Sequence, residues 1–313
     1  MKLRIGSRGS QLALWQANHI ADLLGTQGHE VEIEIVKTTG DRLQDVAFVQ
    51  VGAKGMFTRE IEEALARGQV DLAVHSLKDL PTELPNGFAL AATPPRADPR
   101  DALVSPKYDS IAALPRGARV GTSSQRRRAE LKALRPDIEA VEFRGNVDTR
   151  LRKLGDGQVE AILLAAAGLD RLGRTDWVRQ RLDPGDFCPA AGQGCLAIET
   201  REGDLATLDA VGFLEDADTR YAVTAERAAL AALGGGCQVP IGVYCRPLAK
   251  LEAGGEESDE IFAVVADPQT GETVRVHHLA SRAEGGAAML GQRAAQLLIE
   301  KGAGPLLEVA AGG

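Results

Sequence analysis

Arg119-Val120-Gly121-Thr122-Ser123-Ser124-Gln125-Arg126-Arg127-Arg128 reads as a short strand, a hydroxyl-rich turn and the start of a helix that closes by Arg135-Pro136. A strand that turns directly into a helix is the building unit of an α/β sheet. Thr122, Ser123 and Ser124 fall just before the helix, where unpaired backbone N–H groups and the helix dipole favour negative charge. Guanidinium groups match the geometry of carboxylates and phosphates. Downstream, Ile138 to Phe143 reads as the next strand, and Arg144-Gly145-Asn146-Val147-Asp148-Thr149-Arg150 leads into a helix with Val147, Leu151 and Leu154 on one face. The whole chain carries a net charge of −8. Cations gathered in one segment of an acidic chain point to a small, multiply anionic ligand rather than to a general polyanion surface.

The same alternation extends on both sides. Upstream, Leu3-Arg4-Ile5, Val31 to Val36 and Val70 to Val74 read as strands. Ser10 caps a helix bearing Ala13, Ala17, Ile20 and Leu24, and Phe57, Ile61, Ala64 and Leu65 mark another. Pro94-Pro95-Arg96-Ala97-Asp98-Pro99 and Pro189-Ala190-Ala191-Gly192-Gln193-Gly194 punctuate the pattern as two inter-domain crossings. Val159 to Ala165 is an apolar run suited to a strand covered on both faces. The pattern implies mostly parallel sheets. From about residue 217 it changes to a long helix over Thr219–Leu233, strands at Val239–Tyr244, Ile261–Ala266 and Thr273–Leu279, and a helix over Ala287–Ile299. Two α/β domains with a cleft between them, plus a smaller C-terminal α+β domain, are therefore expected. Ligands in such sheets bind at the carboxyl ends of strands. Ser7-Arg8, Lys78-Asp79, Thr122-Ser123-Ser124 and Arg144 all fall at such ends.

Bulk properties narrow the class. The 313 residues, 44% apolar and 26% charged, suit a soluble protein of two or three domains. No apolar run reaches transmembrane length, and Met1 to Arg8 lacks the apolar core of a secretory signal, so a cytoplasmic location is expected. Four cysteines, Cys188, Cys195, Cys237 and Cys245, make no disulfide framework, and their spacing does not match zinc-binding pairs. His277-His278 lies in a strand, with its side chains on opposite faces, so no metal site is expected there.

Single residues leave alternatives open. Cys237 follows three glycines and could be a reachable nucleophile or a small buried apolar residue. Asp79 could stabilise a developing cation or cap a turn. Three consecutive arginines cannot all face one way on a helix, and Arg128 is expected to face away from the cleft. Arg150 borders its helix's apolar face and is better placed to point inward than Arg152 or Lys153. Gly52-Ala53-Lys54-Gly55 lacks Walker spacing and reads instead as a lid with a cationic tip.

Taken in order, these segments resemble the hydroxymethylbilane synthase (porphobilinogen deaminase) family of tetrapyrrole biosynthesis. The resemblance is carried by Ser7-Arg8 with Ser10 to Gln16, Gly52 to Phe57, Ala73 to Pro81, Val120 to Ser124 with Arg126-Arg127, and Arg144 to Val147 with Thr149-Arg150. Ala165 to Leu169 with Arg171, Gly192-Gln193-Gly194 and Gly235 to Pro240 complete it. After Tyr244 the similarity is looser.

The resemblance implies two lobes like those of type II periplasmic binding proteins and a third domain: 1–96 with 196–214, 97–195, and 215–313. It implies a dipyrromethane cofactor bound through a thioether to Cys237. Four porphobilinogen units would add head to tail with loss of four ammonia molecules, before hydrolysis frees the linear product. Arg8, Arg126, Arg127, Arg144, Arg150 and Arg171, with Ser10, Thr122, Ser123, Ser124 and Gln193, would hold the carboxylates of cofactor and growing pyrrole chain. Asp79 and Lys78 would be catalytic, with Asp79 stabilising the cation left when ammonia departs. Lys54 and Phe57 would belong to the lid. No metal, nucleic acid or membrane partner is implied, and a monomer is expected. A cytoplasmic two-lobed binding protein for a small multiply anionic ligand is the alternative. A nucleic-acid-binding role conflicts with the overall acidity and the lack of aromatic platforms near the arginines.

Overall fold

The computed structural model describes residues 1–39, 58–235, 240–248, 258–282 and 285–312. Cys237, Lys54 and Phe57 lie outside the described residues.

The first lobe is a five-stranded sheet in the order β2-β1-β3-β10-β4. Its strands are β1 (Lys2–Ser7), β2 (Glu30–Ile35), β3 (Leu72–Ser76), β4 (Phe88–Ala92) and β10 (Leu196–Arg201). Helix α1 (Gln11–Thr26) is capped by the Ser10 hydroxyl, which accepts from the Ala13 N–H, and it buries Ala17, Ile20 and Leu24. Helix α2 (Arg59–Ala66) buries Ile61, Ala64 and Leu65. After β3 the chain enters a 3-10 turn, Leu77–Asp79, anchored by the Leu77 N–H donating to the Cys195 carbonyl.

The second lobe repeats the architecture as β7-β6-β8-β5-β9. It comprises β5 (Asp101–Val104), β6 (Arg119–Gly121), β7 (Glu139–Val141), β8 (Ala161–Ala165) and β9 (Val178–Arg181). Three helices accompany it, α3 (Gln125–Leu134), α4 (Val147–Gly155) and α5 (Ala166–Arg171).

The sheets are mixed, which corrects the expectation of mostly parallel ones. β10 runs antiparallel to both β3 and β4, and β5 runs antiparallel to both β8 and β9. Each reversed strand enters its sheet from a crossing instead of from a right-handed β-α-β connection. β4, β5 and β9 carry no alternation that marks them in the sequence. Phe88–Ala92 and Asp101–Val104 are short apolar runs without period, and Val178–Arg181 is polar.

The two crossings lie side by side. The Ala97 N–H donates to the Gly194 carbonyl, and a Cβ on Gly194 would sit 2.5 Å from the Ala97 carbonyl oxygen. With φ at +89°, Gly194 meets both demands of the site, left-handed backbone and close approach. Arg96, in the first crossing, donates to the Gln193 carbonyl and pairs with buried Glu226 at 2.5 Å. The Glu226 carboxylate also accepts from the Gly192 and Cys245 amides. One buried ion pair thus fastens both crossings to the third domain.

That domain contains helix α7 (Ala217–Ala232), the antiparallel sheet β11 (Ile241–Pro247), β12 (Ser258–Ala266) and β13 (Thr273–Ser281), and helix α8 (Gly286–Glu300). Between β10 and α7 lies α6 (Leu205–Val211), and α9 (Gly304–Gly312) ends the chain. α7 and α8 approach very closely: a Cβ on Gly291 would lie 2.0 Å from the Ala225 carbonyl oxygen. Alanines on both helices (Ala225, Ala229, Ala294 and Ala295) fill this contact, which accounts for the alanine bias of the C-terminal sequence. Gly291→Val should therefore overpack the contact and destabilise this domain by about 1–3 kcal/mol. Thermal unfolding read by circular dichroism should show a lowered midpoint, and an unchanged midpoint would refute the close approach.

Candidate functional site

Arg8, Lys78-Asp79, Thr122 to Ser124 and Arg144 follow the carboxyl ends of β1, β3, β6 and β7. The two lobes meet through direct contacts. Lys78 Nζ of the first lobe donates to Gln193 Oε1 at 3.2 Å, and Arg127 Nη2 of the second lobe donates to the same oxygen at 3.4 Å. Gln193 is fully buried, and its amide nitrogen donates to the Pro99 carbonyl and to Asp101 Oδ1. All of its polar capacity is engaged by protein, so it works as a bolt between the lobes.

Helix α3 places its first arginines by its cap. Ser124 is the N-cap and accepts from the Arg127 N–H, while the Thr122 hydroxyl accepts from the Ser124 N–H. Ser123 donates to the Phe143 carbonyl at 2.8 Å, tying the turn to the end of β7. Arg126 and Arg127 are both buried, and they share the carboxylate of buried Asp101 at 2.8 and 2.7 Å. Burial alone would raise the Asp101 pKa, but Arg126 and Arg127 outweigh it and hold it down at about 2.

The two arginines then differ. Arg126 has a second acid, Glu130, at 2.9 Å, and donates to the Cys188 carbonyl at 2.6 Å. Burial lowers its pKa, yet the two acids raise it overall. Arg127 has Asp101 as its sole ion-pair partner among the described residues and ends below its ordinary value, chiefly through burial. Arg126 is therefore neutralised internally, and Arg127 only in part. Arg128 is partly exposed and pairs with Glu142, which also takes Arg144 at 2.7 Å.

Three further cations, Arg150, Lys78 and Arg171, are likewise lowered, in each case chiefly by burial. Arg150, on α4, is driven down to about 10 by burial and then by the Arg127 charge, and Arg144 adds to the effect. Its Nε is buried with no hydrogen-bond partner. Lys78 is driven down to about 8, again by burial first and Arg127 next. Arg171 is lowered by burial, donates to the Gly194 carbonyl at 2.8 Å, and lies over the Trp15 ring of the opposite lobe at 5.8 Å. Arg8 is partly exposed, just past β1, and Ser10 caps α1. Asp79 is exposed at the end of its 3-10 turn, beside Lys78.

Positive charges that depress one another inside a cleft constitute a standing demand for anions. A ligand carrying several carboxylates would relieve the repulsion and satisfy the Arg150 Nε. The described residues contain no group of three His, Cys, Asp or Glu side chains that could hold a metal ion, and His277 instead pairs with Glu260 and stacks on Phe262. No described helix is long and apolar enough to cross a membrane.

Hydrogen-bonding roles that sequence reasoning missed are those of Asp101, Glu130, Arg96 and Glu226. Each is a single charged residue that acquires its role through partners 25 or more residues away or on another domain. A charged residue inside an apolar run, such as Asp101 before Ala102-Leu103-Val104, was the one local signal available.

Comparison with known proteins adds a separate line of observation. Residues 3–209 match the family model "Porphobilinogen deaminase, dipyromethane cofactor binding domain", and residues 220–300 match "Porphobilinogen deaminase, C-terminal domain". A porphobilinogen deaminase of Trichlorobacter lovleyi is 48% identical over 311 residues, covering 98% of this chain and 96% of the relative. One from Albidiferax ferrireducens is 50% identical over 281 residues, covering 90% and 87%. Among solved structures, the methionine-binding protein MetQ aligns over 70% of this chain and 92% of its own, at 14% identity and a TM-score of 0.45.

Two outcomes should follow from the depressed cations. Because the folded Lys78 pKa lies below its ordinary 10.5, the unfolded chain binds more protons between about pH 8 and 10.5. Over that window this lysine makes the ligand-free fold more stable as pH rises, while affinity for a polycarboxylate falls. Calorimetric titration in two buffers of different ionisation enthalpy should show proton uptake on binding near pH 8.5, and Lys78→Met should abolish it. Arg150→Met should leave the ligand-free protein at least as stable as the parent while weakening polycarboxylate binding by tenfold or more. A less stable Arg150→Met protein would mean that the guanidinium is already satisfied at rest.

Proposed function

The chain belongs to the porphobilinogen deaminase family, and we propose from that premise how its own residues carry out the family's reaction. It is a transferase, a hydroxymethylbilane synthase. Porphobilinogen units condense head to tail on a dipyrromethane primer, each losing ammonia, and the linear tetrapyrrole is then released by hydrolysis. The alternative of a two-lobed binding protein is less well supported, since the family match continues through the third domain.

The observation that carries the assignment of roles is the meeting of Lys78 and Arg127 at the Gln193 amide oxygen next to exposed Asp79, with the Arg150 charge close enough to be lowered by Arg127. Each pyrrole unit brings an acetate and a propionate, so a primer of two units already carries four carboxylates. Such a group fits a cleft whose cations depress one another and whose Arg150 Nε lacks an acceptor. When bound, the dipyrromethane supplies an electron-rich pyrrole carbon for the incoming unit to join.

Arg127, Arg144, Arg150 and Arg171, with Arg8 and Lys78, would hold these carboxylates, and the hydroxyls of Ser10, Thr122 and Ser123 would add donors at the strand ends. Arg126 and Gln193 contribute indirectly. Arg126 neutralises Asp101 and Glu130 and holds α3 in place, and Gln193 holds the lobes together. Asp79 would accept hydrogen bonds from pyrrole N–H groups and oppose the positive charge that develops as ammonia leaves porphobilinogen. Lys78, next to Asp79 on the same 3-10 turn, adds positive charge for the substrate carboxylates. Closure of Lys54 and Phe57 over the cleft would exclude water from that cation.

The attachment point is Cys237, between α7 and β11. Cys188, Cys195 and Cys245 are free and buried, and burial pushes all three thiols up, Cys195 to about 12. Thiols held so far from ionisation are poor nucleophiles, which supports the fourth cysteine as the tether. The domain division proposed is 1–96 with 196–214, 97–195, and 215–313, supported by the presence of Leu196–Arg201 in the first sheet. The enzyme is proposed to act in the cytoplasm as a monomer on free porphobilinogen and the growing chain, without nucleic acid.

Intact mass of the denatured, active enzyme should exceed the sequence mass by one dipyrromethane, and Cys237→Ser should have the bare mass. Bare mass in an active enzyme would overturn the tether. Asp79→Ala should keep the cofactor and the fold while losing about a hundredfold or more in kcat. Near-parental ammonia release by that variant would remove Asp79 from the chemistry.

A further inference from the structure

Helix α3 presents Ser124 and Arg127 to the cleft, and its other side faces the third domain. Glu130, one turn beyond Arg126, is fully buried on that side. Its Oε2 accepts from Arg126 Nη1, and its Oε1 accepts from the Cys188 N–H at 2.7 Å and from Arg275 Nη2 at 3.3 Å. Arg275 belongs to β13 of the third domain, and its Nη1 also donates to the Gly185 carbonyl of the second lobe at 3.4 Å. Toward the end of α3, a Cβ on Gly271, in the β12–β13 turn, would lie 2.9 Å from Lys132 Cγ.

The backbone at Cys188-Pro189 is gripped between the same two parts. The Cys188 carbonyl accepts from Arg126, its Sγ donates to the Phe262 carbonyl of β12, and the Pro189 carbonyl accepts from the Val243 N–H of β11 at 2.9 Å. β11 begins four residues after Cys237. A continuous chain of polar contacts therefore runs from the cleft arginines through Asp101, Arg126, Glu130 and Arg275 to the sheet whose first strand follows the proposed tether.

We propose that Glu130 and Arg275 are positioning residues that set the third domain, with its strand β11, in register with the cations of the second lobe. This rests on the proposed function for its catalytic consequence, though the docking itself does not. Arg275 touches neither the cleft nor the reacting atoms, and it is the part of the link that can be removed most safely, its side chain being 30% exposed. Glu130 is held by two arginines and one amide, so losing Arg275 leaves a buried carboxylate short of one partner. The third domain would then dock less tightly, while the carboxylate-binding cations stay as they were.

The test is Arg275→Met in the holoenzyme, with Arg275→Lys and Glu130→Gln beside it. For Arg275→Met, kcat for porphobilinogen consumption should fall at least fivefold with KM within twofold. Intact mass should show partly extended covalent chains accumulating. Hydrogen exchange at the Val243 amide should accelerate at least tenfold. Arg275→Lys should recover most of each effect, and Glu130→Gln combined with Arg275→Met should be no worse than the more severe single variant. Parental kcat in Arg275→Met would overturn the proposal, including when its melting midpoint drops, because that is a structural role alone. Should the parent enzyme itself fail to consume porphobilinogen, the proposed function fails instead. Val243 exchange then decides the docking separately: acceleration in Arg275→Met sustains it, and parental exchange sinks it.

Discussion

One buried carboxylate serves two guanidinium groups: Asp101, at the start of β5, lies between Arg126 and Arg127 with Gln193 as its third partner. A buried charge has to be paired, and here the pairing is short by about one unit of negative charge. Arg126 makes up the deficit with Glu130. Arg127 does not, and its field reaches Lys78 and Arg150. The folded protein thus holds a cluster of cations that would be more stable with anions among them. Packing energy elsewhere in the two lobes keeps this arrangement in place.

The crossings convert that local imbalance into a working cleft. Gly194 lets the two connections run against each other, Arg96 and Glu226 fasten them to the third domain, and Gln193 accepts from a cation of either lobe. Lobe and domain orientations are therefore coupled through well-buried polar contacts, alongside the apolar clusters that pack Val223 against Leu77 and Ala129 against Val264. The polar contacts are directional, so small shifts break them discretely. Asp79 stands apart from this network, exposed on a short 3-10 turn whose first residue is held to Cys195.

Much of this was legible beforehand, in specific places. The period-2 run at Val31–Val36, the Ser10 cap, the Thr122-Ser123-Ser124 turn before a helix and the Pro- and Gly-rich crossings marked elements that exist within a residue or two of those positions. The inward setting of Arg150 followed from its place beside Leu151 and Leu154 on one helix. β4, β5 and β9 escaped notice, as did the reversal of β5 and β10, because a short strand's identity comes from the neighbours it pairs with. α9 was missed for a similar reason, being a nine-residue stretch with little polar contrast.

The sequence by itself determined the α/β character of the lobes, the position of the hydroxyl- and arginine-rich segments at strand ends, and the family, since these depend on local periodicity, turn chemistry and ordered motifs. Which arginine has a second internal acid, and which has Asp101 alone, only the tertiary structure decided. Arg126 and Arg127 are adjacent and chemically identical, yet Glu130 and the Cys188 carbonyl meet one of them alone. Coulomb energy depends on distance and burial in three dimensions, and neither can be read from spacing along a chain.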